Sequence, residues 1–344
     1  MLIERWLWGG RSLAASMARC ALLPASGLYW GFSAVRVAAY RWGMLRSASV
    51  TVPTVAIGNL VVGGTGKTPL AAWVANHFVR RGVTPGILLR GYGGDEGAIH
   101  RKLVPGAIVL EGPDRVARAS EAISRGAEVI VLDDAYQRLD IDRDLNIAVV
   151  SAESATNPRW TLPAGPWREG WRALRRADLV VVSRKRSGVG EAEAVSRRVE
   201  RKVDPKPVAV VRLAISGFHG LRSGETVDAS ELSGTRVLVA AGIADPDTLA
   251  EQCRGLGAEV RLIPWRDHYV PSVRDVDRVI LDGREADFVV TTEKDAVKLV
   301  DLWPEGADEP IVADLIPAWD RGVELVEQAL DDVISVGRMY GRVA

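Results

Sequence analysis

A glycine-rich loop between an apolar run and a helix-forming segment is the feature that most constrains the fold of this chain. Thr51–Ile57 is rich in β-branched residues and predicts a strand, while the residues from Lys67 to about Arg81 predict a helix. The loop between them ends in Gly63–Thr68, with the letters GGTGKT. Its glycines let backbone N–H groups close around phosphate oxygens, and the positive end of the following helix adds to that attraction. We therefore predict that this loop binds a nucleotide triphosphate.

The loop residues have distinct expected roles. Lys67 would reach the β- and γ-phosphates, and the hydroxyl of Thr68 would bind Mg²⁺. The strict phosphate-loop pattern has glycine where this chain has Val61, so Gly63 and Gly64 indicate a variant of the loop. A plain glycine-rich turn would not require a Lys-Thr pair at this point. The loop residues expected to contact the nucleotide are Val61, Val62, Gly63, Gly64, Thr65, Gly66, Lys67 and Thr68.

An apolar run that ends in two acids gives the second signal. Val129–Leu132 is typical of a strand buried on both faces, and Asp133 and Asp134 follow it. Such a strand is the usual Mg²⁺-side partner of a phosphate loop, although alone it is a common pattern. We expect Asp133 to bind Mg²⁺ directly or through water. Asp134 is expected beside the nucleotide, where it serves the metal or orients a neighbour.

Two further residues at strand ends could take part in proton transfer. Asp95 lies in Leu89–Glu96, with the letters LRGYGGDE, and His268 follows the predicted strand Val260–Pro264. Open α/β sheets place ligands at the carboxyl ends of their strands, so an acid there could accept a proton from an attacking hydroxyl. A histidine beside an acid could tune or relay that proton. The alternatives are an ordinary surface turn at Asp95 and a structural role for His268.

The alternation of strands and helices predicts an α/β fold with two domains. Residues 51–152 are expected to form a parallel-sheet domain of the phosphate-loop NTPase type, and residues 166–316 a second, smaller α/β domain. A segment rich in Pro, Gly and Trp, residues 153–165, would link them. Residues 317–344 predict a C-terminal helix that could pack on either domain.

Residues 1–50 differ from the rest of the chain because they are basic and rich in tryptophan. They carry six arginines, no lysine and a single acid, Glu4, together with four of the 11 tryptophans. Their longest uncharged run, Cys20–Val35, is 16 residues long, shorter than the roughly 20 needed to span a bilayer. Arginine interleaved with aromatic and aliphatic residues suits a segment that lies on an anionic membrane surface. The alternative is a helical hairpin packed on the next domain.

The overall composition narrows the possible partners. The formal net charge is zero, which gives no indication of nucleic-acid binding. Cys20 and Cys253 lie far apart and match no metal-ligand spacing, which argues against a disulfide framework and fits a reducing compartment. Nothing in the sequence requires a protein partner.

Taken together, these segments resemble the tetraacyldisaccharide 4'-kinase (lipid A 4'-kinase) family. The resemblance runs over nearly the whole chain, and its strings appear in the family's order. The matching stretches are Val55–Pro69 (VAIGNLVVGGTGKTP), Leu89–Gly94 (LRGYGG), Asp133–Gln137 (DDAYQ), Arg143–Val149 (RDLNIAV), Leu162–Glu169 (LPAGPWRE), Ala240–Ile243 (AAGI), Asp267-His268 and Thr292–Lys298 (TEKDAVK).

The resemblance implies an activity and a place of action. Members of this family use ATP and Mg²⁺ to phosphorylate the 4'-hydroxyl of a lipid A disaccharide 1-phosphate at the cytoplasmic face of the inner membrane. Their fold has two α/β/α domains, the first of phosphate-loop type. By matching motif, Asp95 is the expected catalytic base and His268 assists it. Arg90, Arg168 and Glu169 are expected on the substrate side, although Arg168 and Glu169 could instead form inter-domain ion pairs.

Two departures from the family pattern affect the expected substrate contacts. The Gly-Asp-Glu string containing Asp95 follows Tyr92 almost directly, as if an intervening segment were deleted. Ala135 and Arg138 stand where the family usually has glycine and histidine.

Two other functions stay open: a phosphate-loop kinase of another glycolipid or sugar, and a non-kinase nucleotide-binding switch protein. A soluble sugar would give no reason for the basic, Trp-rich N-terminus. Guanine-specific switch proteins carry an Asn-Lys-x-Asp string, and the nearest string here, Glu293-Lys294-Asp295, lacks its spacing.

Overall fold

The computed structural model describes residues 5–10, 12–91, 95–155, 159–267 and 269–339, without the side chains of Arg5 and Asp95. In chain order the strands are β1 (Thr54–Asn59), β2 (Pro85–Leu89), β3 (Ile108–Glu111), β4 (Val129–Leu132), β5 (Leu145–Ser151), β6 (Leu179–Arg184), β7 (Val208–Gly220), β8 (Thr226–Asp228), β9 (Arg236–Ala241), β10 (Glu259–Pro264), β11 (Phe288–Thr292) and β12 (Ile311–Arg321).

The helices connect these strands and add a long N-terminal element. They are α1 (Leu13–Arg41), α2 (Lys67–Arg80), α3 (Asp95–Leu103), α4 (Arg115–Ser124), α5 (Ala152–Ala155), α6 (Val189–Val203), α7 (Pro246–Gly255), α8 (Val273–Gly283), α9 (Glu293–Leu299) and α10 (Val323–Met339). A short π-helical turn precedes α1, and 3₁₀ turns occupy Trp171–Arg176 and Ala229–Leu232.

The chain forms two compact units. The first contains the described parts of residues 1–91, 103–212 and 319–344, and the second those of 92–102 and 213–318. The chain therefore enters the second unit twice, first for the segment that contains α3 and again from within β7 to within β12.

The first unit is built on a parallel sheet with the order β7–β6–β5–β1–β4–β2–β3. Strands β1, β2, β4 and β5 are buried along their whole length, as expected where helices cover both faces. One core cluster joins α2 and α10 to the sheet, and its helical members include Leu70, Val74, Phe78, Val326, Leu330 and Val333.

The second unit also has a parallel sheet, with the order β10–β9–β11–β12. The end of β7 pairs with β8 in an antiparallel hairpin, from Gly217 opposite Asp228 to His219 opposite Thr226. Its core includes Phe218, Leu232, Val239, Leu249 and Val290.

Helix α1 is a single element, so the described part of residues 1–50 does not contain the helical hairpin that was the alternative expectation. It has 29 residues, and Ser12 caps its first turn by accepting a hydrogen bond from the Ala15 N–H. Ser26 anchors it to the body of the first unit, since the Ser26 hydroxyl donates to the Thr161 carbonyl (2.9 Å) and accepts from the Ala164 N–H (3.1 Å). Among the residues that the structure describes, no helix combines the length and apolarity that crossing a bilayer requires.

The predicted α/β class and the main strands are confirmed, and several boundaries differ. Residues 166–212, expected in the second domain, belong to the first unit, because β6 and the start of β7 continue its parallel sheet beside β5. The Pro- and Gly-rich segment 153–165 is thus a connection within a unit. The C-terminal helix begins at Val323, because residues 317–321 of the segment expected to form it lie in β12. Helix α3 and strands β3 and β12 were not predicted.

Candidate active site

The glycine-rich loop joins β1 to α2 in the first unit. Two of its glycines have backbone conformations that other residues rarely adopt, with φ of +116° at Gly63 and +84° at Gly66. Gly66 stands directly before α2, so the unpaired N–H groups of the first helical turn follow it. The loop therefore has the backbone geometry and the helix start that the predicted phosphate site requires.

Thr65 is the best-supported residue of the loop. The Asn59 side-chain N–H donates to the Thr65 hydroxyl (2.7 Å), and the Ser183 hydroxyl donates to the Thr65 carbonyl (2.8 Å). Because all three residues are buried, these hydrogen bonds fix the loop against β1 and β6. Neither Asn59 nor Ser183 was among the predicted site residues, and Ser183 lies 118 positions from Thr65.

Val61 occupies the position where the strict phosphate-loop pattern has glycine, and its contacts account for the difference. It forms an antiparallel bridge with Trp167, and the Val62 N–H donates to the Pro166 carbonyl (2.8 Å). The Val61 side chain belongs to the same buried cluster as Trp167. Extended backbone at this position does not need glycine, and the valine side chain is used in the core.

The two acids after β4 have different environments. Asp133 is buried and accepts a hydrogen bond from the Asp134 N–H (2.8 Å). Asp134 has a left-handed backbone, with φ of +49°. Its carboxylate accepts two hydrogen bonds from the Arg168 guanidinium, at 2.8 and 3.1 Å, and lies 3.7 Å from the Lys67 ammonium. Burial disfavours the charge of Asp134, but Lys67 and Arg168 outweigh it and hold the pKa of Asp134 below its usual value.

Arg168 connects this acid to the loop through a second contact. Its guanidinium also donates to the Gln137 side-chain oxygen (3.3 Å), and the Gln137 amide donates to the Asn59 carbonyl (2.8 Å) at the end of β1. Glu169, next in the chain, accepts from Arg176 (2.8 Å). These partners of Arg168 and Glu169 all lie in the first unit, so the contacts are not the inter-domain ion pairs considered as the alternative.

A groove of about 1090 Å³ runs along α1 in the first unit. On the α1 side it is lined by aromatic and aliphatic side chains, including Trp30, Val37 and Tyr40. The remaining lining is rich in charged side chains, and arginines outnumber acids among them. The arginines are Arg143, Arg168, Arg172, Arg175 and Arg176, and the acids are Asp142, Glu169 and Asp178. The groove therefore combines an apolar wall with a basic one.

Arg138, which stands in the family's histidine position, is held by a neighbouring loop. Its guanidinium donates to Asp140 (2.7 Å) and to the Pro113 carbonyl (2.9 Å). Arg115 is buried nearby and donates to the Leu89 carbonyl (2.8 Å) at the end of β2. Burial, with help from the positive charge of Arg138, lowers the pKa of Arg115 to about 10.

The remaining predicted residues are only partly described. Arg90 follows β2 and is exposed. Asp95 is the first residue of α3, and its side chain lies outside the described part of the chain. His268 also lies outside the described residues. Its neighbour Asp267 accepts a hydrogen bond from the Lys294 ammonium (3.2 Å) in the second unit.

The Thr-Glu-Lys-Asp string at the start of α9 forms a helix cap. The Thr292 hydroxyl accepts from the Asp295 N–H (3.2 Å) and donates to the Asp295 carboxylate (2.7 Å). That carboxylate also accepts from the Gly242 N–H (2.9 Å). Burial raises the pKa of Asp295, and the two hydrogen bonds oppose that rise.

Comparison with known proteins identifies relatives over most of the chain. The family model described as tetraacyldisaccharide-1-P 4'-kinase matches residues 18–101 and 93–313. The two matches meet at residues 93–101, where the sequence indicates a deleted segment. A tetraacyldisaccharide 4'-kinase from Aromatoleum aromaticum is 35% identical over 85% of this chain and 87% of its own length. One from an Anaeromyxobacter species is 34% identical over 100% of this chain and 99% of its own.

A solved structure agrees with these relatives. The crystal structure of LpxK from Aquifex aeolicus in complex with ATP matches with a TM-score of 0.71 at 25% identity, covering 92% of this chain and 99% of that one. The family that the sequence motifs resemble is thus confirmed by a family model, by curated relatives and by a fold. This chain belongs to the tetraacyldisaccharide-1-P 4'-kinase family.

Proposed function

We propose that this protein transfers the γ-phosphate of ATP to the 4'-hydroxyl of a lipid A disaccharide 1-phosphate, with Mg²⁺, at the cytoplasmic face of the inner membrane. The relatives that it matches over most of their length are tetraacyldisaccharide 4'-kinases, and the related Aquifex aeolicus structure is a complex with ATP. Both the expected nucleotide site and a groove suited to a phosphorylated amphiphile lie in the first unit.

The position of Arg168 is the observation that carries this proposal. Its side chain lines the groove along α1 and also holds Asp134, whose carboxylate lies 3.7 Å from the Lys67 ammonium. One side chain thus joins a basic, aromatic groove to the lysine of the phosphate loop. A lipid with a phosphorylated sugar head fits such a groove, because acyl chains suit the apolar wall and phosphate suits the arginines.

The residues expected to hold Mg²⁺ fit a hard cation. Thr68 offers a hydroxyl and Asp133 a carboxylate, and oxygen ligands of this kind are those that Mg²⁺ prefers. Asp134 already faces the positive charges of Lys67 and Arg168, so orienting them is its better-supported role. Bound Mg²⁺ would neutralise charge on the β- and γ-phosphates.

The protein's own part in the reaction is to position the reactants and balance charge. The loop N–H groups and Lys67 hold the phosphates and stabilise the charge that develops during transfer. Asp95 accepts the proton of the attacking hydroxyl, and His268 assists it. Arg90, Arg168 and Glu169 orient the sugar head. This assignment places the proton acceptor at the first residue of α3.

The exposed face of α1 supports action at an anionic membrane surface. Leu13, Met17, Leu28, Phe32 and Val35 are all highly exposed, and their spacing places them on one face of the helix. That face is opposite to the buried Ser26, which docks α1 on the first unit. The guanidinium of Arg36 donates to the Gln137 carbonyl (3.0 Å), which gives α1 a further contact with the first unit. We infer that α1 lies in the headgroup layer of the membrane, with this apolar face turned toward the acyl chains.

A transfer assay tests the activity. Purified protein with Mg-ATP should convert a tetraacyldisaccharide 1-phosphate in detergent to a bisphosphate, detected by mass spectrometry. Transfer to another glycolipid or sugar, but not to this lipid, would support the alternative kinase. Nucleotide binding with no transfer to any acceptor would support the non-kinase switch protein.

A vesicle assay tests the membrane face. A triple variant with Leu28, Phe32 and Val35 changed to serine should bind anionic phospholipid vesicles at least about 10-fold more weakly, since each buried side chain contributes roughly 1.5–3 kcal/mol. The matched control changes exposed apolar residues of the second unit, Val270, Val273 and Leu281, to serine. Equal sedimentation of the two variants with vesicles would refute the inferred role of α1.

A further inference from the structure

Three elements of the second unit bring cation ligands to one point. His219 lies in β7, Glu293 begins α9, and Asp314 lies in β12. Their ligand atoms all lie within 4.8 Å of one another. A nitrogen and two carboxylates at this distance make a site for a positive charge, and the family resemblance assigned none of these three residues a role.

The ammonium of Lys102 takes that place. It lies 3.0 and 3.1 Å from the two carboxylate oxygens of Glu293 and 2.5 Å from Nε2 of His219. The other ring nitrogen, Nδ1, lies 2.9 Å from the Asp314 carboxylate. Because a carboxylate accepts, Nδ1 carries the proton, which leaves the Nε2 lone pair to accept from Lys102. The four side chains thus form one connected network.

The network is sheltered on the side of its histidine and glutamate. The side chains of His219 and Glu293 are each 13% exposed, whereas that of Lys102 is 48% exposed, so solvent screens the contacts from the lysine side only. A partly buried carboxylate also loses much of its hydration, which makes loss of its cation unfavourable. Lys102 is therefore held by two side chains, through three of their atoms, rather than by a single flexible contact.

Lys102 belongs to the helix that begins with the expected base. Helix α3 runs from Asp95 to Leu103, and Asp95 and Lys102 are seven residues apart. Seven residues make about two turns, so the two positions share one face of the helix and lie about 10 Å apart along its axis. A fixed Lys102 therefore limits both the rotation and the sliding of α3. Residues 92–102 are also part of the second unit, although β2 and β3, which α3 connects, are in the first.

We propose that Lys102 is a positioning residue, which anchors α3 through Glu293 and His219 and thereby sets where Asp95 stands. The anchoring rests on the proposed function, because it gives Asp95 its role as the base. Lys102 acts on the rate of transfer through the placement of the helix. The ligand set of His219, Glu293 and Asp314 is completed by the chain itself rather than by a metal ion.

Steady-state kinetics of Lys102→Met and Lys102→Arg test the anchor. Because misplacing a reacting group by about 1 Å can reduce a rate roughly 100-fold, Lys102→Met should lower kcat about 10- to 100-fold with an unchanged KM for ATP. Lys102→Arg should recover most of the activity, since it keeps the charge. Glu293→Gln should lower kcat in the same way, and combining it with Lys102→Met should add little, as expected for partners in one network.

A matched control separates positioning from general stability. Arg261→Met removes another ion pair of the second unit, to Asp282 at 2.7 Å, and should leave kcat unchanged. A loss of kcat in Lys102→Met that comes with a raised KM for ATP and a lowered thermal midpoint would show a purely structural contact and overturn the proposal.

Two further outcomes distinguish this inference from the proposed function. If Asp95→Ala abolishes transfer while Lys102→Met keeps the wild-type kcat, the anchor is refuted and the kinase assignment stands. If Asp95→Ala stays active, the base assignment fails and the anchor loses its purpose with it. Stoichiometric binding of Zn²⁺ by the wild-type protein, lost in His219→Ala, would show that the cluster is a metal site and overturn the proposal.

Discussion

Each unit contains a lysine whose ammonium lies beside a carboxylate, Lys67 in the first unit and Lys102 in the second. The two lysines differ in the number and length of their contacts. In the first unit the Lys67 ammonium lies 3.7 Å from Asp134, whose carboxylate is instead paired closely with Arg168. In the second unit the Lys102 ammonium lies within 3.1 Å of both Glu293 oxygens and closer still to His219. The Lys67 ammonium has one long contact that it can leave, whereas the Lys102 ammonium has three short ones, although its side chain is the more exposed of the two.

This difference separates a lysine that acts from a lysine that anchors. A phosphate-binding lysine must exchange its resting partner for phosphate oxygens, so a loose contact with an already neutralised carboxylate suits it. An anchoring lysine must not move, and several short contacts to partly buried partners suit that. The comparison predicts that substitutions of either lysine lower kcat, but that only the substitution of Lys67 also weakens ATP binding.

The largest effect on kcat is expected at Asp95. Lys102 can influence the reaction only if α3, the helix that it holds, carries the catalytic base. Asp95→Ala should reduce kcat about 10²- to 10⁴-fold, the usual loss on removing a general base. Binding of a fluorescent ATP analogue should be unchanged, since the nucleotide loop is intact. Near-native turnover of Asp95→Ala would contradict the proposed difference between the two lysines, because α3 would then carry no reactive group for Lys102 to position.

The next effect is expected at Lys67, the loosely held lysine. Lys67→Met should reduce kcat about 10²- to 10³-fold, the range for losing one group that stabilises transition-state charge. Unlike the loss at Lys102, this one should come with weaker ATP binding, measured by titration calorimetry. Equal ATP affinity in Lys67→Met and wild type would contradict the assignment of Lys67 to the phosphates.

A smaller effect is expected at Arg168, which keeps Asp134 from holding Lys67. Without the Arg168 guanidinium, Asp134 would draw the Lys67 ammonium closer and compete with ATP for it. Arg168→Met should therefore raise the KM for ATP roughly 10-fold, about the value of one charge-assisted hydrogen bond. Asp134→Asn in the same chain should remove most of that increase. If the double variant is no better than Arg168→Met, Lys67 is not the residue affected.

The smallest effect is expected at Asp331, an ion pair that holds a helix without any link to a reacting group. Its carboxylate accepts from Arg81 (2.9 and 2.8 Å) and from His77 (2.8 Å), which docks α10 on α2. Asp331→Asn should lower the thermal midpoint by roughly 1–3 °C, as for a partly exposed pair, with kcat unchanged.

The contribution of the Asp331 carboxylate to stability should also depend on pH, which gives a second test of this ion pair. The hydrogen bond from Arg81, supported by that from His77, holds the pKa of Asp331 below its usual value. Because the pKa is lower in the folded than in the unfolded chain, ionised Asp331 stabilises the fold above the unfolded-state pKa of about 3.9. This contribution is lost as the pH falls through the folded-state pKa. The difference in thermal midpoint between wild type and Asp331→Asn should therefore be constant near neutral pH and shrink below about pH 4.

The parts of the site that were predictable are those specified by neighbouring residues. The strand, glycine loop and helix around Lys67 form a local pattern, and the acids after β4 follow a continuous apolar strand. The supports of the site were not predictable, because their partners are remote in sequence. Lys102, for example, lies 117 residues from His219 and 191 from Glu293.

The missed elements of the fold have weak local signals for a physical reason. Helix α3 has nine residues with a glycine near its start, and β3 has four residues. Strand β12 contains Pro317 and alternates irregularly between buried and partly exposed residues. Each is stabilised mainly by its place beside other elements, which a single sequence does not show. The change of unit within β7 is hidden for the same reason, since the strand itself is uninterrupted.

The return of the chain to the first unit has a consequence for synthesis on the ribosome. Leu70 and Val74 of α2 share a core with Val326 and Leu330 of α10, yet residues 213–318 of the second unit are made in between. At typical elongation rates of about 5–20 residues per second, that interval lasts roughly 5–20 s. During this time the nascent nucleotide-binding unit exposes an uncovered apolar face, which makes it a natural client for chaperones that bind emerging chains.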